Sequence, residues 1–159
     1  MSECRMIQAP NLVAVLVDEY TKEGAFCGRL AHLYEDSTCT FNGAQELLTK
    51  MDALYDSWNY PQRATMQRYF GREPKKVLRK TTDMHLNEKE RVRTVEELYA
   101  LRGSIATFMI HTQMRQNASW QGQAMYLEEG LTQQFQSVLE LLRMTDAALK
   151  QATKKGAKQ

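Results

Sequence analysis

FCGRLAHLYEDSTCTFNGAQELLTKMDALYD, residues 26–56, returns in altered form as WQGQAMYLEEGLTQQFQSVLELLRMTDAALK, residues 120–150, at a constant offset of 94 with no gap. Gly28 meets Gly122, Leu33 meets Leu127, Phe41 meets Phe135, and Glu46-Leu47-Leu48 lies over Glu140-Leu141-Leu142. Ten of the 31 aligned positions are identical, where unrelated sequences would share roughly two. The chain therefore reads as a tandem of two like units.

The later copy shows its elements more clearly. Phe108, Ile110, Thr112 and Met114 alternate with Thr107, Met109, His111, Gln113 and Arg115, the two-residue period of a half-buried strand. Residues 116–119 (Gln-Asn-Ala-Ser) supply turn chemistry, so residues 120–129 can run back as a second strand. Residues 131–136, after Gly130, suit a third short strand. The period then changes: Val138, Leu141, Leu142, Thr145, Ala148 and Leu149 recur at helical spacing, and Ser137 with Glu140 forms a capping box. The unit is β-β-β-α.

The early copy repeats the plan, with strands expected at 12–20, 26–34 and 38–42 and a helix from about Gly43. That helix carries an apolar stripe through Leu47, Met51 and Tyr55, with Glu46 and Lys50 able to pair on its wet side. The run 12–17 is unbroken apolar and could also open a buried helix; alignment with the later copy favours a strand.

The expected fold is α+β: an internally duplicated β-β-β-α domain, residues 11–56 and 105–150, of about six strands and two equivalent helices related by a pseudo-twofold axis. The units are expected to pair edge to edge or face to face, because a lone three-stranded sheet leaves edges and apolar area open. Between them lies a connector, 57–104, with a helix opening at Pro61, an aperiodic crossing at 72–93, and a short helix at Thr94-Val95-Glu96-Glu97. Residues 151–159 form a lysine-rich tail expected to be disordered.

Composition narrows the class. The chain has 159 residues, 43% apolar and 25% charged, with a formal net charge of +2, enough to bury about two thirds of its unfolded surface without metal or disulfide. Cys4, Cys27 and Cys39 are odd in number and follow no signal stretch, so a cytoplasmic protein with reduced thiols is expected. No apolar run approaches the ~20 residues that cross a bilayer, and no membrane role is expected.

No residue pattern carries chemistry. Cys27, Cys39 and His32 could suggest a thiol and its base, but the expected register sets Cys39 near Leu33 and Cys27 several residues away, so both thiols are expected to be buried and inert. His32, His85 and His111 stand apart, so no metal or cofactor is expected. Glu46 with Asp52, and Glu140 with Asp146, recur at a spacing of 1.7 helical turns, which points each pair to opposite sides. Gly28 and Gly122 are expected to mark a bulge or a close backbone approach.

One segment suggests a partner. Residues 58–80 hold seven bases and one acid, +6 in all, and interleave arginine and lysine with rings: Trp58, Tyr60, Arg63, Arg68, Tyr69, Phe70, Arg72, Lys75 and Lys76. These are the candidate contact residues. A protein partner is the first reading, with the exposed sheet face, the strand edges or residues 58–70 supplying aromatic and arginine anchors. The second is nucleic acid held by phosphate neutralisation and base stacking; an inhibitor of a nucleic-acid-processing enzyme lies between the two. An enzyme is the third, since no catalytic motif is present, and none is expected.

The run Trp120-Gln121-Gly122, then Phe135-Gln136-Ser137-Val138-Leu139-Glu140-Leu141-Leu142 and Asp146-Ala147-Ala148-Leu149, resembles a family of small uncharacterised bacterial proteins with a W-Q-G strand before an F-x-S-x-L-E-L helix. The resemblance covers the second unit and implies a recurring fold, with no activity or site residue. The first unit departs from it, with Phe26-Cys27-Gly28 for W-Q-G and Gly43 where the helix should open on a small polar residue.

Overall fold

Alternating side chains on β1 (Val13–Tyr20) divide the core in two. Val13, Val15 and Val17 join one apolar cluster, while Leu12, Ala14 and Leu16 join another on the opposite face. A strand covered on both sides loses the hydrophobic-polar alternation, which is why residues 12–17 read as an unbroken apolar run. The computed structural model describes residues 6–62, 70, 89–115 and 119–157, with side chains described to residue 154.

The protein is α+β. β1, β2 (Phe26–His32) and β3 (Cys39–Asn42) lead into α1 (Ala44–Trp58); α2 (Val95–Tyr99) follows; then β4 (Ala106–Met114), β5 (Gln121–Tyr126) and β6 (Leu131–Phe135) lead into α3 (Val138–Ala157). The strands form one antiparallel sheet in the order β3-β2-β1-β4-β5-β6. Of the two pairings expected, the chain uses the edge-to-edge one: β1 and β4 are the central strands, with Val15 opposite Phe108.

One face is covered by α1 and α3, through Leu47, Met51, Tyr55, Leu141 and Leu149. The other is covered by α2 and the stretch before β1, through Leu98, Tyr99, Val95 and Ala9. Thr94 opens α2 by accepting from the Glu97 amide, and Ser137 opens α3 by accepting from Glu140 at 3.1 Å. The Glu140 carboxylate reaches back to the Gln136 amide, one residue earlier than in the usual capping box.

Gly28 and Gly122 do both things expected of them. A β carbon on Gly28 would lie 1.9 Å from the Leu16 carbonyl oxygen, and one on Gly122 would lie 2.1 Å from that of His111. Opposite each glycine the partner strand bulges, between Val17 and Glu19 and between Thr112 and Met114. Glycine thus lets the two halves of each hairpin close at the bulge.

Other expectations need correction. Cys39 pairs with Leu30, not near Leu33, because the connection between β2 and β3 is longer than assumed. Cys39 is exposed and Cys27 half-buried, since each sits on or near an outer strand and neither side chain reaches a core cluster. The lysine-rich stretch after 150 continues α3 to Ala157 instead of being disordered; alanine, glutamine and lysine favour a helix, and no breaker precedes Gly156. The helix expected from Pro61 and the crossing at 72–93 lie mostly outside the described residues.

Candidate interaction surface

The two outer strands of the sheet are treated differently. In β3, the Gly43 amide donates to the Phe26 carbonyl, so alternation along the ladder turns the backbone groups of Cys39 and Phe41 toward β2 and those of Thr40 and Asn42 outward. Lys50 on α1 caps this edge. Its ammonium donates to the Thr40 carbonyl and pairs with Glu46 at 2.8 Å. A lysine lying over a free edge is a common guard against strand addition.

Among the described residues, β6 has no such guard. Phe135, like Phe41, faces the α1–α3 cluster opposite a glycine. The fixed hand of the strand then turns the backbone groups of Thr132 and Gln134 outward. Lys50 plus 94 is Met144, a half-buried side chain packed on the core, and the Gln134 carbonyl takes a 3.5 Å contact from the Gln133 amide. No charge or proline occurs in residues 131–138. Four of the five β6 residues are exposed, and Leu131 and Leu139 are 64% and 57% exposed.

Where the central strands end, two buried or half-buried polar links tie strand to helix. The Tyr20 hydroxyl donates to Asp146 of α3 at 2.7 Å. Arg115, 3% exposed, donates to Asp52 at 3.0 Å and Asp56 at 2.9 Å on α1 and to the Pro61 carbonyl, while its guanidinium lies 5.7 Å from the Tyr55 ring centre. Its Nη2 is buried without a hydrogen-bond partner among the described residues. Tyr55 in turn shares a 2.7 Å bond with the Thr112 hydroxyl, and burial pushes its phenol well above the usual range.

The candidate contact residues are placed unevenly. Trp58 is 1% exposed and sits among His32, Tyr34 and Tyr55, so its ring belongs to the core. Tyr60 packs partly against the same cluster, and Phe70 is fully exposed. Arg63, Arg68, Tyr69, Arg72, Lys75 and Lys76 lie outside the described residues. Sequence reasoning missed Leu131, Leu139 and Arg115. Leu139 could have been found, since it falls off the α3 stripe of Val138, Leu141 and Leu142; Arg115 could have been matched to Asp52 and Asp56, one helical turn apart.

Among the described residues, no group of three or more His, Cys, Asp or Glu could hold a metal. Burial raises the Cys27 thiol, as does its contact with Glu19, the opposite of activation. A groove of about 350 Å³ runs beside the start of α2, but Arg93 on its wall is committed to the carbonyls of His32 and Asp36. No helix among the described residues is long and apolar enough to cross a membrane.

His32 sets a pH dependence. Burial lowers its pKa below 6.5, as do Lys89 and Arg93, against the opposing charge of Glu35; its Nδ1 accepts from the Tyr34 amide at 3.1 Å, a bond the protonated ring loses. Burial also lowers His111. The unfolded chain therefore takes up protons first as pH falls through 6.5, so stability is full above that value and declines below it. Denaturant midpoints will drop between about pH 7 and pH 5, and His32→Gln will flatten the slope. A midpoint unchanged over that window would remove this account.

Comparison with protein-family models, with curated proteins and with solved structures gave no match.

Proposed function

We propose that this chain is a non-catalytic binding protein acting through protein–protein contact, with the β6 edge as its contact surface. The observation that carries this is the contrast between the edges: β3 is capped by Lys50, whereas β6 offers outward backbone groups, neutral side chains and two exposed leucines. An added strand would satisfy the backbone groups and cover the leucines, the usual terms of strand addition. The free thiols Cys27 and Cys39 suit a cytoplasmic location.

The architecture we assign to it is a duplicated, pseudo-twofold domain. Three features support this: the repeated order of strands and helix, the two glycine-bulge pairs, and the links Tyr20–Asp146 and Arg115–Asp52, whose aspartates stand 94 residues apart. Each central strand thus ends against the helix of the other unit.

Nucleic acid is the second reading, favoured by the +6 charge of residues 58–80 and the full exposure of Phe70. Affinity capture from cells, with and without nuclease, separates the two. Protein contact predicts recovered protein that survives nuclease and is lost with Leu131→Lys/Leu139→Lys. Loss on nuclease treatment, with steep salt dependence abolished by Glu at Arg63, Arg68, Arg72, Lys75 and Lys76, would transfer the function to the basic segment.

A further inference from the structure

We infer that the strand received by β6 is β6 of a second copy, the two pairing antiparallel across a twofold axis through Gln133. This rests on the reading of β6 as the contact surface and names its partner. The outward backbone groups at Thr132 and Gln134 fix the register. In an antiparallel pair, outward-facing residues must stand opposite one another as hydrogen-bonded pairs. Centring on Gln133 sets Thr132 of each copy against Gln134 of the other, so both outward residues of both chains are satisfied. Centring on Thr132 or Gln134 shortens the overlap and leaves outward groups open.

The same register matches the side chains. It sets Leu131 of one copy opposite Phe135 of the other, on the face that carries α3. Leu139 is the second residue of α3, four residues beyond Phe135, so the exposed Leu131 of each copy meets the exposed Leu139 side of its mate and four leucines leave water together. Residues 131–138 carry no charge, so two identical edges meet without like-charge repulsion, and the contact is isologous, as a closed dimer requires. A second copy fits better at β6 than at β3, where Lys50 would be brought against its own equivalent.

Sedimentation equilibrium of the full chain should give twice 18.4 kDa, and Leu131→Lys/Leu139→Lys should weaken association at least about tenfold. Both leucines are solvent-facing in the single chain, so this variant keeps its fold, which circular dichroism checks. The register has its own test. With Cys4, Cys27 and Cys39 changed to serine, Gln133→Cys should cross-link two chains on oxidation, because non-hydrogen-bonded partners approach to about 4.5 Å between α carbons, within reach of a disulfide. Gln134→Cys should not, as it faces Thr132.

A single-chain mass at every concentration, a dimer indifferent to the lysines, or cross-linking as ready at 134 as at 133 would each overturn the inference. A monomer that still loses its captured protein with the lysine variant would remove the second copy alone and leave β6 as the contact surface.

Discussion

Replacing Arg115 by methionine will lower the free energy of unfolding by about 3 kcal/mol, the lower end of the range for breaking a buried ion pair. Arg115 is 3% exposed, and its guanidinium serves two carboxylates, a backbone carbonyl and the face of Tyr55 at once. Removing it takes from Asp52 and Asp56, one helical turn apart, the buried cation that both carboxylates share. They keep side-chain exposures of 32% and 21%, and this access to water holds the loss below that of a fully buried pair. Arg115→Lys retains the charge but not the planar fork, and should recover about half of the loss. Urea denaturation of the three proteins decides it. A methionine variant within about 0.5 kcal/mol of the parent would show that the cluster contributes little net stability.

The counterpart at Tyr20 should behave differently, and the reason is physical. The Tyr20–Asp146 bond lies toward the surface, and Asp146 already has Lys150 at 3.0 Å as an alternative partner. Water can replace the hydroxyl there; it cannot reach the Nη2 of Arg115. The two links thus carry unequal weight, and the difference comes from burial and not from the geometry of the bond.

The strands and long helices could be read from the sequence because their signals are local. Alternation marked β4, the 94-residue offset carried that reading to β1 through β3, and the stripe from Leu47 to Tyr55 marked α1. Six strands and their helices follow from these, but the joining of β1 to β4 into one antiparallel sheet does not, since stacking face to face would bury as much apolar area. What the sequence hid depends on contacts between distant residues. The burial of Arg115 needs α1 and the end of β4 in the same place, separated by more than 50 residues of chain. The difference between the edges of β3 and β6 rests on a single position, Lys50 against Met144, whose importance appears once each helix is seen lying over its own outer strand. The same kind of contact relocates Trp58: in sequence it heads a basic aromatic segment, yet its α1 position, one turn after Tyr55, carries it inward.

Trp58→Ala should therefore be read in stability, at a cost of about 3–5 kcal/mol. The indole is 1% exposed and holds edge contacts to His32 at 5.2 Å and Tyr34 at 5.5 Å between ring centres. It thereby fastens the end of α1 to the last residue of β2, and Asn59 then turns the chain in a left-handed conformation with φ of 50°. Alanine leaves a cavity the size of the indole beneath that turn, walled by rings too rigid to collapse into it. Phenylalanine fills most of the space and should cost no more than about 1.5 kcal/mol. The pair of variants also tests the contact role assigned to this residue from sequence. With Trp58 acting only as core, Trp58→Phe will bind its partner as the parent does, and any loss in Trp58→Ala will track the unfolded fraction measured in the same buffer. Weakened binding by a Trp58→Phe protein that remains fully folded would place the indole at the interface after all.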